Sequence, residues 1–200
     1  MDMHSLWNLE QKVSINNGKI AAQNKDAAVY NHGEMVIEGG SVESTRKKGA
    51  SLIVNGYYNY NSTDPLKGHV AGTNSPNPTL TINDGLFSGG LITVKTDDGG
   101  ITTINGGRFV NNSDATDDVV VIENWNKTII NDGEFEGNGT HSTILYPGQI
   151  DTPQNVGELT ITGGKYIGST LIATGEIRNK SAKIIIKNAD ISRVGKMFSA

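Results

Sequence analysis

One phrase recurs seven times along this chain: an apolar stretch ending in Ile, two small polar residues, Gly, and a further apolar residue. The copies are VSINNGKI (Val13 to Ile20), MVIEGGSV (Met35 to Val42), LTINDGLF (Leu80 to Phe87), TTINGGRF (Thr102 to Phe109), TIINDGEF (Thr128 to Phe135), LTITGGKY (Leu159 to Tyr166) and IIIKNADI (Ile184 to Ile191). Self-similarity at a period of a few tens of residues marks a solenoid, in which each repeat buries its apolar face only against its neighbours. That constraint outweighs any other in the sequence.

Each aligned column has one physical job. Ile15, Ile37, Ile82, Ile104, Ile130, Ile161 and Ile186 form a column without exception. Two residues earlier stand Val13, Met35, Leu80, Thr102, Thr128, Leu159 and Ile184, mostly apolar. A spacing of two puts both columns on one face of a strand, which predicts that this face is buried. Asn17, Gly39, Asp84, Gly106, Asp132, Gly163 and Asn188 then supply residues that tolerate positive φ, and a Gly follows in every copy but the last, where Ala189 stands. Beyond this corner an inward apolar column resumes with Ile20, Val42, Phe87, Phe109, Phe135, Tyr166 and Ile191.

Another strand-like segment precedes most copies: Ala27 to Asn31, Ser51 to Asn55, Leu91 to Lys95, Val119 to Glu123, Thr143 to Pro147 and Thr170 to Thr174. Three short strands and three corners per unit describe one coil of a parallel β-helix. The expected fold is all-β, a right-handed single-stranded parallel β-helix of about seven coils with corner loops, because parallel crossovers are right-handed almost without exception. Stacking at about 4.8 Å per coil would give a rod roughly 34 Å long. Ile15 to Ile37 and Ile82 to Ile104 are each 22 residues apart, the bare coil, whereas Ile37 to Ile82 spans 45. The step is close to twice 22 and could hold a degenerate extra coil; we prefer a long inserted loop over 56–78, since GYYNYNSTDPLKGHVAGTNSPNP lacks strand alternation. The chain is expected to be one β-helix domain over 1–200, with 1–12 as an N-terminal cap that includes Leu6, Trp7 and Leu9.

Only 36% of the 200 residues are hydrophobic, which suits a narrow solenoid core. The net charge of −4 and the lack of a basic stripe argue against a nucleic-acid partner. There is no cysteine, so disulfides and thiolate metal sites are excluded, and no apolar run is long enough for a leader or a membrane span. We expect no cofactor. Asn-x-Ser/Thr triplets at Asn61, Asn111, Asn126, Asn138 and Asn179 are what chance provides in a chain this rich in Asn and Thr.

These repeats resemble those of right-handed parallel β-helix proteins of the pectate-lyase-like class. More narrowly, AAVYNHGEMVIEGGSVES and LTITGGKYIGS look like the repeats of large bacterial surface and adhesin-like proteins. The resemblance implies a non-catalytic structural or adhesive segment of a larger exported protein, located at the cell surface or outside the cell, with carbohydrate or a host surface protein as partner. The alternatives are a polysaccharide lyase or hydrolase, a tailspike-like depolymerase, and a spacer without ligand.

Two sets of residues could carry chemistry. Tyr57, Tyr58 and Tyr60 open the long loop, and Trp125 lies between two strands in ENWNK; planar rings beside Asn and Asp can grip sugars by stacking and hydrogen bonding. For the enzyme alternative, Asp97, Asp98, Asp117 and Asp118, with Asp114 and Arg108 nearby in sequence, would form an acidic groove site. Against that, TDDGG and NNSDATDD are turn compositions, in which Asp bonds its own backbone. Asp84 and Asp132 read as corner residues, and Asn83, Asn105 and Asn131 as a side-chain amide ladder. His4, His32, His69 and His141 have no partner at metal-ligand spacing and are expected in exposed loops.

Overall fold

The Ile phrase forms a four-residue strand in each of its seven copies, and two further strands complete each turn. The computed structural model describes residues 6–8, 11–22, 27–45, 51–56, 77–111, 113, 119–138, 143–147, 156–173 and 182–199. Among these residues there are twenty strands and no helix. The first turns comprise β1 (Leu6–Asn8), β2 (Lys12–Ile15), β3 (Lys19–Ala22), β4 (Val29–Asn31), β5 (Glu34–Ile37), β6 (Ser41–Ser44), β7 (Ile53–Asn55), β8 (Thr79–Ile82) and β9 (Leu86–Ser88). The next are β10 (Ile92–Thr96), β11 (Ile101–Ile104), β12 (Arg108–Asn111), β13 (Val120–Asn124), β14 (Lys127–Ile130) and β15 (Glu134–Gly137). The last are β16 (Thr143–Pro147), β17 (Glu158–Ile161), β18 (Lys165–Ala173), β19 (Lys183–Ile186) and β20 (Asp190–Ser199).

Every pairing is parallel and joins a strand to its equivalent one turn away. The Ile strands form one seven-stranded sheet, β2-β5-β8-β11-β14-β17-β19. A first side runs β1-β4-β7-β10-β13-β16-β18, and a third runs β3-β6-β9-β12-β15-β18-β20. The nine residues of β18 serve both of these sides in one continuous strand, and β20 follows it. The chain is therefore a parallel β-solenoid: five turns of three separate strands, β1 to β15, and then turns in which two of the strands are fused. The Ile sheet has seven strands, but complete turns of three separate strands number five, fewer than the seven coils expected, because β18 and β20 run on from one side to the next.

The 45-residue interval adds no tier, because β5 pairs directly with β8 and sets Ile37 beside Ile82. The loop expected over 56–78 falls mostly on 57–76, which lie outside the described residues. Leu6–Asn8, expected in a cap, forms the first strand of the stack, with Leu6 beside Val29.

The core is a set of vertical columns. Ile37, Ile82, Ile104, Ile130 and Ile161 are fully buried, as are Phe87, Phe109, Phe135 and Tyr166. Those four rings stack with centroids 4.7, 4.9 and 5.0 Å apart and interplanar angles of 11°, 6° and 8°. Offset stacking of this kind adds about 0.5–1.5 kcal/mol per pair beyond the burial. The Tyr166 hydroxyl donates to the Gly163 carbonyl at 3.1 Å, so the last ring of the pile keeps a polar partner. Burial, and then the Asp132 charge, push its phenol far above the ordinary range, so it stays neutral.

Corner chemistry differs in one detail from the expectation. Positive φ falls on the Gly column (Gly18, Gly40, Gly85, Gly107, Gly133 and Gly164) and not on the column before it; only in the last copy does Asn188 adopt it, at φ 51°. Asp84 and Asp132 accept from the N–H of Gly85 and Gly133 at 2.8 Å, and so fix the corner. Gly40, at φ 94°, also has no room, since a Cβ there would lie 2.5 Å from the Gly18 carbonyl oxygen. Gly40→Ala is expected to cost about 2 kcal/mol or more in urea unfolding, whereas Gly18→Ala, where nothing lies within 4 Å, should cost only the strain of its positive φ.

Two polar ladders run along the stack. The outer one is the expected amide ladder: Asn105 donates to Asn83 and Asn131 to Asn105, both at 2.8 Å, with Asn83 reaching Glu38 and Thr162 reaching Asn131. An inner one, unexpected, lies at the corner between the first side and the Ile sheet. There Asn8 donates to Asn31 and Asn31 to Asn55, each at 2.7 Å. Asn55 donates on to Thr102, which also accepts from Thr96; Thr96 and Thr128 share a hydrogen bond, and Thr128 donates to Asn124. The threonines that interrupt the apolar column, Thr102 and Thr128, are thus fully buried members of this ladder.

His32 corrects an expectation. It is 1% exposed and meets Trp7 edge-on at 6.0 Å, not in an exposed loop. Asn111 and Asn126, of the glycosylation-like triplets, are also buried and donate to main-chain carbonyls.

Candidate functional site

Alternation along the first side sends Leu6, Val29, Ile53, Val94 and Ile122 inward. The residue after each (Trp7, Tyr30, Val54, Lys95 and Glu123) therefore faces outward in one register column. This outer column gathers the aromatic and charged side chains that could meet a ligand. At its lower end Trp7 lies flat on Tyr30, with centroids 4.1 Å apart and planes at 23°, and Trp7 remains 41% exposed. Cross-strand register places the two rings one tier apart, so the sheet itself enforces the stack.

Higher up, the column closes on itself. Lys95 Nζ is 3.2 Å from Asp97 Oδ2 and 3.9 Å from Glu123 Oε2, with the lysine side chain only 12% exposed and both carboxylates nearly buried. The same ammonium sits 3.8 Å from the centroid of the Trp125 ring, and the Trp125 indole N–H donates to Glu123 Oε1 at 2.8 Å. One cation thus serves two carboxylates and a ring, an arrangement that holds Trp125 against the flank. The corner beneath is tight. The Asp97 N–H donates to the Asn55 carbonyl at 2.8 Å, and a Cβ on Gly56 would lie 2.6 Å from the Asp97 main chain.

The expected site residues fall as follows. Asp97 and Asp98 stand together at this corner, where the Asp98 N–H donates to Asp97 Oδ1 at 2.9 Å. Arg108 is on β12, on another side of the solenoid, ion-paired with Glu134 and Glu136 of the next tier at 3.4 and 2.9 Å. The Glu136 hydrogen bond raises its already high pKa further. Trp125 joins the Lys95 cluster. Tyr57, Tyr58, Tyr60, Asp114, Asp117 and Asp118 lie outside the described residues, as do His4, His69 and His141. Among the described residues no three His, Asp or Glu side chains gather so as to hold a metal ion.

The sequence alone does not show Trp7, Tyr30, Lys95 and Glu123 as one surface, because β10 and β13 each run one residue past the strand expected there. Register sets Thr96 and Asn124 beside Asn55 and Pro147, so Lys95 and Glu123 precede the inner ladder, as Tyr30 precedes Asn31. The recurring aromatic-Asn pair in WN and YN was the available signal.

No protein-family model, no curated protein and no solved structure matches the chain.

Proposed function

We propose that this chain is a rigid, non-catalytic segment of a bacterial surface protein that contacts carbohydrate with the outer face of its first side. The observation that carries this reading is the exposed indole of Trp7, held flat by Tyr30 on a hydrogen-bonded sheet. A planar, preordered apolar platform stacks on the C–H face of a sugar ring without losing side-chain freedom on binding. The insertion bearing Tyr57, Tyr58 and Tyr60 departs from β7 on this same side, which makes those residues further candidates for contact. Trp125, clamped by Lys95 and Glu123, serves as an anchor for the flank.

The surface charges favour a scaffold over an enzyme. Lys12 pairs with Glu34, Lys19 with Glu43, Lys127 with Glu158, and Lys165 with Glu134. Exposed pairs of this type contribute under about 1 kcal/mol each, but they commit the carboxylates to bracing neighbouring tiers. No helix among the described residues is long and apolar enough to cross a membrane.

The test is a glycan array probed with the whole chain. We expect binding to at least one neutral or acidic glycan class, weakened about ten-fold or more by Trp7→Ala with the β-sheet circular dichroism unchanged. Binding that ignores Trp7, Tyr57, Tyr58 and Tyr60 substitution would remove the aromatic platform from the account. Glycan turnover lost in Asp97→Ala and Asp98→Ala would replace the scaffold by the lyase or hydrolase alternative.

A further inference from the structure

We infer that Lys95 and Glu123 condense to a side-chain amide, a covalent staple between two neighbouring turns of the stack. The two residues stand side by side in register on β10 and β13, and both point outward from the first side. Their side chains meet where water is nearly excluded: exposure is 12% for Lys95, 8% for Glu123 and 2% for Asp97 beside them.

The groups gathered there match the parts of an acyl transfer. Lys95 Nζ is the nucleophile. It lies 3.2 Å from Asp97 Oδ2, which takes its proton, and 3.9 Å from Glu123 Oε2. The Trp125 indole N–H donates to Glu123 Oε1 at 2.8 Å; it polarises the carboxyl group and holds the oxygen that becomes the amide carbonyl. The centroid of the same ring is 3.8 Å from Nζ, so the ring screens the amine from water on that side.

Atoms and protons balance inside the cluster. Of the ammonium protons the amide keeps one, and Asp97 passes the others in turn from Nζ to Oε2. The C–N bond forms at Glu123 Cδ, the Cδ–Oε2 bond breaks, and one water leaves, so the step needs no co-reactant. Condensation removes a cation and an anion that are costly to hold away from water. Groups held in such contact react as if at about 10⁵ M or more. In the product the new N–H donates to Asp97 Oδ2 and the carbonyl stays on the indole.

Glu123, and not Asp97, is the acyl partner. The short Asp97 side chain is fixed at its corner, where its N–H donates to the Asn55 carbonyl and its Oδ1 accepts from the Asp98 N–H. The lysine and glutamate stems together span one strand spacing of about 4.8 Å with ease.

Mass spectrometry of the denatured chain tests the inference. The mass is expected to fall short of that required by the sequence by one water. Trypsin should fail to cut after Lys95 and should release one branched species, 68–108 joined to 109–127. Lys95→Arg keeps the charge and should restore the full mass. Asp97→Asn leaves amine and acyl group in place and should slow closure about 100-fold or more. A full mass with free cleavage after Lys95, a water lost within 68–108 alone (the mark of a Lys95–Asp97 bond), or an Asp97→Asn chain cross-linked as fully as the parent would each overturn it. The parent chain alone decides the matter if a substitution prevents folding.

Discussion

Phe109→Ala is expected to lower the unfolding free energy by about 3–5 kcal/mol, the largest loss for any single truncation along the aromatic pile. The ring is fully buried and lies between Phe87 and Phe135, so its removal opens a cavity and ends two stacking contacts at once. Neighbouring turns cannot close the gap, because main-chain ladders on both sides hold them one strand spacing apart. Each turn contacts only its neighbours, so a break at mid-stack should also uncouple the molecule. Urea unfolding of the variant, followed by circular dichroism, should show a broadened or two-step transition. A loss below about 1 kcal/mol with a single sharp transition would mean that the rings do not carry the cohesion assigned to them.

Asn31→Leu should cost about 3 kcal/mol or more by the same measurement. The Asn31 amide is 0% exposed; it donates to Asn55 Oδ1, the Gly33 carbonyl and the Thr79 carbonyl, and accepts from Asn8. Leucine matches the volume but strands those groups away from water, at about 1–3 kcal/mol for each one left unpaired. The outer ladder supplies the control. Asn105→Ala breaks hydrogen bonds of the same length, to Asn83 and Asn131, but at an exposed site where water replaces them, so its cost should stay below about 1 kcal/mol. Equal losses at the two positions would refute the view that burial, and not amide pairing as such, sets the scale.

These two ladders show what could be read from the chain and what could not. The outer Asn column was legible because it sits inside the repeated phrase, at a constant offset from the invariant Ile. The inner one was hidden because its members change identity from tier to tier, from Asn55 to Thr96 to Asn124, and because Thr102 and Thr128 looked like lapses in an apolar column. What they share is a buried corner that needs a short polar side chain, a tertiary property that no single segment displays. The turn glycines show the same limit at smaller scale. Gly, Asn and Asp in two adjacent columns announced a corner, but not which of the two takes positive φ, which the structure gives to the Gly column in every copy but the last.

Of the candidate site, Trp125 lies between two strands as expected but meets a clamp instead of an open face, because Lys95 reaches it from the adjacent tier and Glu123 from its own. Trp7 escaped notice because a terminal segment with two apolar residues and a Trp suggests an end plug. Only the pairing of Trp7 with Tyr30 shows it to be the first step of a column. The acidic alternative grouped residues by nearness in sequence, whereas a coil carries Asp97 and Arg108 to different sides in eleven residues.

Direct pairing of Ile37 with Ile82 across the long insertion separates two quantities that in most folds move together, chain length and molecular reach. Residues added at that corner leave the height of the column unchanged; only a complete circuit of three strands raises it. Variants could therefore enlarge or exchange what the molecule displays at its flank while the distance it spans stays constant, and could alter that distance only in whole storeys.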